Sequence, residues 1–322
     1  MAEDADYSPG TWAGHDFSAA RKAYDANAGR GYATAVATGV TATSLLPARL
    51  NTESMAPLVV MVDVTGSMGT WPGVMFGKLP YLDIEGKTYL GPDMEVSFAA
   101  NGDLSDRYPL QVREFKSGLD LATELKGLII EGGGNGPESS HEAYELGAIY
   151  YASNVDMPNA VRPIFIFVAD EMPHAMLTRA TSESQAKVRL EGGSLSVDEV
   201  FALLKAKYQV YLVHKAYTPE SRREWVRLLG EDHIADLQEP ERVVDVIFGI
   251  LDRESGKGDY FKTEIEGRQT KAQVDTVYRA LNTVHRIEAG APKALPGPGA
   301  STLHRPTAGK PLLAYQPAEN DP

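Results

Sequence analysis

The first sustained apolar run of the chain is LVVMVDV at 58–64, which follows Pro57 and stops at the turn-rich TGSMG. A short run that is continuous rather than alternating predicts a strand buried on both faces, as in a parallel sheet. Further strands are predicted for EVSFAANGD at 95–103, the end of DRYPLQVREF, IFIFVAD ending at Asp170, QVYLVHKAY, and the short edge segment HIADLQ. Helical stripes lie between them. SGLDLATELKGLI (117–129) carries Leu119, Leu121, Leu125 and Leu128 at mostly helical spacing, with Ser117 in the capping position. ESSHEAYELGAIYYAS (138–153) follows a glycine cluster. SVDEVFALLKAKY opens on a Ser cap, TPESRREWVRLLG has Pro219 in its first turn, and PERVVDVIFGILDRE reads as a last core helix. KAQVDTVYRALNTVHRIE (271–288) adds one more helix. The pattern assigns no element between Gly69 and Met94.

Strands alternating with helices predict an α/β fold: a doubly wound, mainly parallel central sheet with helices on both faces. It should occupy residues 57–254. Residues 1–56, small and polar, read as an N-terminal arm. Residues 255–290 read as a C-terminal helical extension, and 291–322 as a flexible tail that holds seven of the twenty prolines. At 322 residues, 43% hydrophobic and 23% charged, the chain has the composition of an ordinary soluble protein with a sizeable core.

Charge narrows the partners. Lys and Arg total 31 against 44 Asp and Glu, a formal net charge of −13. That argues against nucleic acid and anionic membranes, which need clustered basic residues. There is no cysteine, so thiolate metal sites and cysteine nucleophiles are excluded. No run approaches the roughly 18 apolar residues of a membrane span. The acidic start MAEDADYSPGTW has no apolar signal-peptide segment. The expectation is a soluble, cytoplasmic protein.

The sharpest chemical motif is Asp63-Val64-Thr65-Gly66-Ser67, at the carboxyl end of the first buried strand. Ligands of open α/β sheets bind beyond the carboxyl ends of strands. A carboxylate and two hydroxyls within one turn are hard oxygen donors, suited to Mg²⁺ or Mn²⁺. One carboxylate is too few, so other strand ends should contribute. The loop GGGNGPES and Asp170, at the end of IFIFVAD, stand in the right places.

These three segments, in this order, resemble the von Willebrand factor A (VWA) family and its metal-ion-dependent adhesion site. The family has D-x-S/T-x-S after its first strand, a glycine-rich loop supplying another donor, and an aspartate after its fourth strand. GGGNGPES and FVADEMPH resemble the bacterial and alpha-kinase-associated branch. The resemblance spans about 57–254. It implies that Thr65 and Ser67 ligate a Mg²⁺ ion (with Mn²⁺ or Ca²⁺ as alternatives), that Asp63 does so directly or through water, and that Asp170 does so through water. The threonine common in the family's glycine loop is missing here. Asn135 stands where the related branch has aspartate, with Glu138 or a backbone carbonyl as alternative donors. The resemblance further implies a non-enzymatic module in which the ion recognises an Asp or Glu of a protein partner. Such adaptors or assembly components often work beside AAA+ ATPases of the MoxR type.

Other readings stay open. Asn101, Asp103 and Asp106 end the 95–103 strand, where Asp103 could support the metal ligands or Asp106 could pair with Arg107. His174, Glu138 and Glu171 are base candidates for a metal-dependent hydrolase or phosphotransferase. His141-Glu142 lacks the spacing of HExxH, and His214 reads as a core or strand-end residue. Tyr144, Tyr150 and Tyr151 read as helix packing. Residues 176–193 lengthen the loop after Asp170, as a surface insertion or a specificity loop. A structural subunit of a larger assembly, such as a phage particle, with a vestigial metal site is the third class.

Overall fold

A computed structural model describes residues 32–130 and 141–284. The expected tail at 291–322, the first 31 residues, and Asn135 and Glu138 of the glycine-rich loop lie outside the described residues. The architecture is mixed α/β around a six-stranded sheet. Its strands are β1 (Pro57–Asp63), β2 (Glu95–Asn101), β3 (Leu110–Val112), β4 (Ile164–Ala169), β5 (Gln209–His214) and β6 (Ile234–Asp236). They stand in the order β6-β5-β4-β1-β2-β3. All pairs are parallel except β2–β3, which is antiparallel.

Every residue of β1 is buried, which is why its sequence is apolar without alternation. Its side chains divide between two cores. Leu58, Val60 and Val62 face one cluster, completed by residues of α1 (Trp71–Lys78), α2 (Leu82–Leu90), α3 (Leu119–Lys126) and α8 (Val243–Ser255). Helices α9 (Gly258–Arg268) and α10 (Lys271–Ala280) join that same cluster through Phe261, Ile265, Val274 and Val277. Val59 and Met61 face the other, formed with α4 (Tyr144–Ser153), α6 (Val197–Lys205) and α7 (Pro219–Leu229). Gly147 lets α4 lie close to the sheet: a Cβ there would fall 2.3 Å from the Met61 thioether. That approach sets the distance from Tyr144, one turn earlier, to the end of β1.

Several sequence expectations need correction. Gly118, at φ 63°, takes the α3 cap position expected for Ser117, and no side chain caps that helix. The helix expected over 138–153 starts only at Tyr144. His141–Glu142 is instead a two-residue strand, parallel to Met172–Pro173. The unassigned stretch between Gly69 and Met94 holds α1 and α2. Residues 176–193 are not a bare loop. Met176–Thr178 pairs antiparallel with Ser194–Ser196, and α5 (Arg179–Ala186) lies between them. The described part of the N-terminal arm docks on the domain. Leu50–Asn51 pairs with Val155–Asp156, and the Tyr108 hydroxyl donates to the Val40 carbonyl at 3.1 Å. No described helix is long and apolar enough to cross a membrane.

The expected Ser cap of α6 is present as a reciprocal capping box, Ser196 with Glu199. Replacing Ser196 with Ala leaves first-turn N–H groups without their acceptor and should cost about 1 kcal/mol. In a domain of this size that is a fall of roughly 2–4 °C in Tm, readable by thermal unfolding.

Candidate metal site at the β1 and β4 strand ends

Strand order reverses beside β1: β2 lies on one side, and β4, β5 and β6 on the other. The carboxyl ends of β1 and β4 therefore flank the crevice where open α/β sheets bind ligands. Asp63 ends β1, and Asp170 follows β4. The chain turns at Thr65 into a single helical turn, Gly66–Met68. This turn folds back because both the Thr65 N–H and its hydroxyl donate to Asp63 Oδ1, at 2.8 and 2.6 Å.

From there a continuous polar chain crosses the crevice. Thr65 Oγ1 lies 3.2 Å from Ser67 Oγ, and Ser67 Oγ donates to Asp170 Oδ1 at 3.1 Å. Four of the five residues assigned to the metal from sequence, Asp63, Thr65, Ser67 and Asp170, are thus brought together. Asn135, the fifth, lies outside the described residues. Asp63 and Asp170 are fully buried and Thr65 nearly so, whereas Ser67 is half-buried beside the exposed Gly66 and opens the group to solvent.

Two participants were not assigned to the site from sequence. The Tyr144 hydroxyl donates to Asp63 Oδ2 at 2.5 Å. Tyr144 is therefore more than helix packing, although its ring also packs edge-on against Phe167 and Trp225. Lys215, just past β5, donates through Nζ to Asp170 Oδ2 at 2.9 Å and to the Ser67 carbonyl at 2.6 Å. Nothing in the sequence around Lys215 marks it, because its role depends on β5 lying next to β4.

Burial dominates the electrostatics of this cluster. Burial, and then the neighbouring Asp170, push the Asp63 carboxyl up to about 7, against the hydrogen bonds from Thr65 and Tyr144. Burial, with Asp170 and Asp63, likewise pushes Glu171 up to about 7. The donor set fits a hard divalent ion: two carboxylates and two hydroxyls, with one ammonium already drawn to Asp170. Among the described residues no three carboxylate or imidazole groups converge as a ready-made metal shell, so the hydroxyls are essential to that fit.

A cation held at this site would compete with Lys215 for the charge of Asp170. Lys215→Met should therefore raise the affinity for Mg²⁺. It should also lower the Tm of the chelated protein, because Asp170 then keeps a buried charge without its partner. Calorimetry and thermal unfolding of the variant read both effects.

Asp103 does not bond to these donors. Its Oδ1 lies 2.7 Å from His174 Nε2, and its Oδ2 accepts from Ser105. Burial pushes the Asp103 carboxyl up, but the hydrogen bonds from His174, the Leu104 N–H and Ser105 outweigh it and hold the group below the usual carboxylate range. Asp106 accepts the Asp103 N–H at 2.8 Å. The loop after β4 is pinned from two helices: the His174 N–H donates to Glu145 on α4, and the Trp225 indole on α7 donates to the Glu171 carbonyl at 2.7 Å. His214 is buried, with Nδ1 2.9 Å from Asp236, as a strand-end histidine should be.

No protein-family model matches the chain, and no curated protein is similar to it in sequence. Solved structures with similarity include the pilus adhesin SpaC from Lactobacillus rhamnosus GG, at 12% identity and a TM-score of 0.43, covering 67% of this chain and 32% of the adhesin. The open conformation of that adhesin gives 10% identity and a TM-score of 0.41, covering 67% and 31%. Proximal thread matrix protein 1 from the mussel byssus gives 11% and 0.37, covering 64% and 46%. The chain thus spans less than half the length of each. Similarity of this degree leaves the functional reading to the site itself.

Proposed function

We propose that the chain is a VWA-like protein with a doubly wound sheet, whose β1 and β4 strand ends hold a divalent cation and use it to recognise a carboxylate of a protein partner. The observation that carries this reading is the unbroken line from Asp63 through Thr65 and Ser67 to Asp170, two buried carboxylates joined by two hydroxyls. Mg²⁺ suits these oxygen donors, with Mn²⁺ or Ca²⁺ as alternatives. Asp63, Thr65, Ser67 and Asp170 would hold it, and it would supply an electrophilic point for an incoming Asp or Glu. Tyr144 fixes the rotamer of Asp63. Ser67 borders the solvent-facing side, where the partner enters. The protein would act as an adaptor or assembly component. A MoxR-type AAA+ ATPase or neighbouring assembly subunits are candidate partners by family resemblance alone.

Ion and carboxylate should bind with reciprocal coupling. Acetate or glutarate at millimolar concentration should therefore tighten Mg²⁺ binding to the wild type and leave Asp63→Ala unaffected. A carboxylate that weakens Mg²⁺ binding, or does not change it, contradicts the recognition step.

One observation favours a second reading, a metal-dependent hydrolase: the His174–Asp103 pair has the spacing of a general base and its orienting carboxylate. Metal-dependent turnover of a generic phosphoester, abolished in His174→Ala, would establish it.

A further inference from the structure

Close to the strand ends that carry the four proposed ligands stands a buried acid with one unsatisfied oxygen. Glu142 is 7% exposed, and its Oε2 has no hydrogen-bond partner among the described residues. Its backbone is fixed from two directions. The two-residue strand His141–Glu142 pairs with Met172–Pro173, in the loop after Asp170. The next N–H, of Ala143, donates to the Gly102 carbonyl just past the end of β2, at 3.1 Å. Burial first, and then the acidic neighbours Asp63, Glu171, Asp103 and Asp106, push the Glu142 carboxyl up to about 10, so it holds its proton until a cation draws it off.

A second buried polar group stands beside Asp63. Asn101 is fully buried, and neither its amide nitrogen nor its amide oxygen has a partner among the described residues. It stands in register with Asp63 on the neighbouring strand. In a parallel pair such residues point to the same face of the sheet. Leaving a buried carboxylate and a buried amide both unsatisfied is unfavourable unless a ligand answers them.

We infer that Glu142 is the further carboxylate that the divalent cation requires, placed by a strand beyond the glycine-rich loop. This rests on the reading of Asp63, Thr65, Ser67 and Asp170 as a metal site. Since no three carboxylates converge as direct ligands among the described residues, Glu142 acts by its charge and through the ion's waters. Asn101 supplies an amide to the same water layer. The arithmetic of charge gives the role its purpose. Asp63 and Asp170 carry two negative charges, and Lys215 offsets one of them. Glu142, giving up its proton as the ion binds, restores the second, so the ion can stay bound without a partner's carboxylate.

The test compares Mg²⁺ calorimetry and thermal unfolding, with and without chelator, for wild type, Asp63→Ala, Glu142→Gln and, as a remote buried acid, Glu85→Gln. Outer carboxylates of metal sites are worth roughly 10–100-fold in affinity. Glu142→Gln should lose that much, and the Tm of the chelated protein should not fall, since an unsatisfied buried acid has been removed. Glu85→Gln should leave Mg²⁺ affinity unchanged. If Glu142→Gln binds Mg²⁺ like the wild type while Asp63→Ala does not, the inference falls and the metal site stands. If the affinity loss comes with a lower Tm in chelator, Glu142 is a packing residue and the inference falls. If the wild type binds no Mg²⁺, the metal reading fails, and this inference with it.

Discussion

In the presence of a chelator, the folded protein should lose stability as pH rises from about 4 to about 8, and saturating Mg²⁺ should reverse that trend. The sign follows from the buried acids. The Asp63 carboxyl is pushed up to about 7 by burial and by Asp170, Glu171 to about 7 by burial and by Asp170, and Glu145 to about 8 by burial. Unfolded, these groups ionise near pH 4. Below that pH both states hold the protons and the folded state is not penalised. Between pH 4 and 8 only the folded state retains them, so each such group subtracts from stability as pH rises. A bound cation selects the ionised carboxylates, so its stabilisation grows over the same interval. Glu85, pushed up to about 7 by burial on α2, contributes the same slope with or without metal. The difference between the two curves therefore isolates the site. Thermal unfolding at pH 5, 6, 7 and 8, with chelator and with Mg²⁺, measures it. A chelated protein whose Tm rises steadily with pH would contradict the electrostatic account.

The second large effect is expected from Asp63→Asn. The amide keeps the size of the side chain and an oxygen for the Thr65 N–H and hydroxyl, turns its NH2 to the Tyr144 oxygen, which can accept, and removes the charge that opposes Asp170. Mg²⁺ affinity should fall by more than the roughly 10–100-fold cost of an outer carboxylate. In chelator at pH 8 the Tm should rise by several degrees, because a strongly disfavoured buried charge is gone. Stability and binding moving in opposite directions is the mark of a ligand group held against its own preference. An ordinary helix-capping aspartate would lose stability and leave Mg²⁺ binding untouched.

Much of the sheet was legible because burial on both faces leaves a continuous apolar run, as in LVVMVDV and IFIFVAD. The polar residues that the structure gathers at the β1 and β4 strand ends were legible for a related reason: hydroxyls and aspartates at strand ends stand out against those runs. Helices α1 and α2 were not, because Pro72, Gly73 and Pro80 interrupt any stripe. In addition, α2 buries Asp83 and Glu85 where a stripe would show apolar residues. Glu142 was hidden by a wrong element. Its neighbours continue a helical pattern, but the chain stays extended there to pair with Met172–Pro173. Tyr144 and Lys215 could not be read at all. Tyr144 looks like core, and it is; only the position of its hydroxyl over Asp63 makes it part of the site. Lys215 meets Asp170 through sheet order, which pairs β5 with β4 across 45 residues of chain.

The most direct measurement is a calorimetric titration of Mg²⁺ into the wild type and into Asp63→Ala at pH 8, where the site carboxylates are most readily ionised. A saturable, one-site isotherm for the wild type that vanishes in Asp63→Ala is the predicted result. Equal isotherms for the two proteins, or none for the wild type even with millimolar carboxylate added, would contradict a cation at the β1 and β4 strand ends.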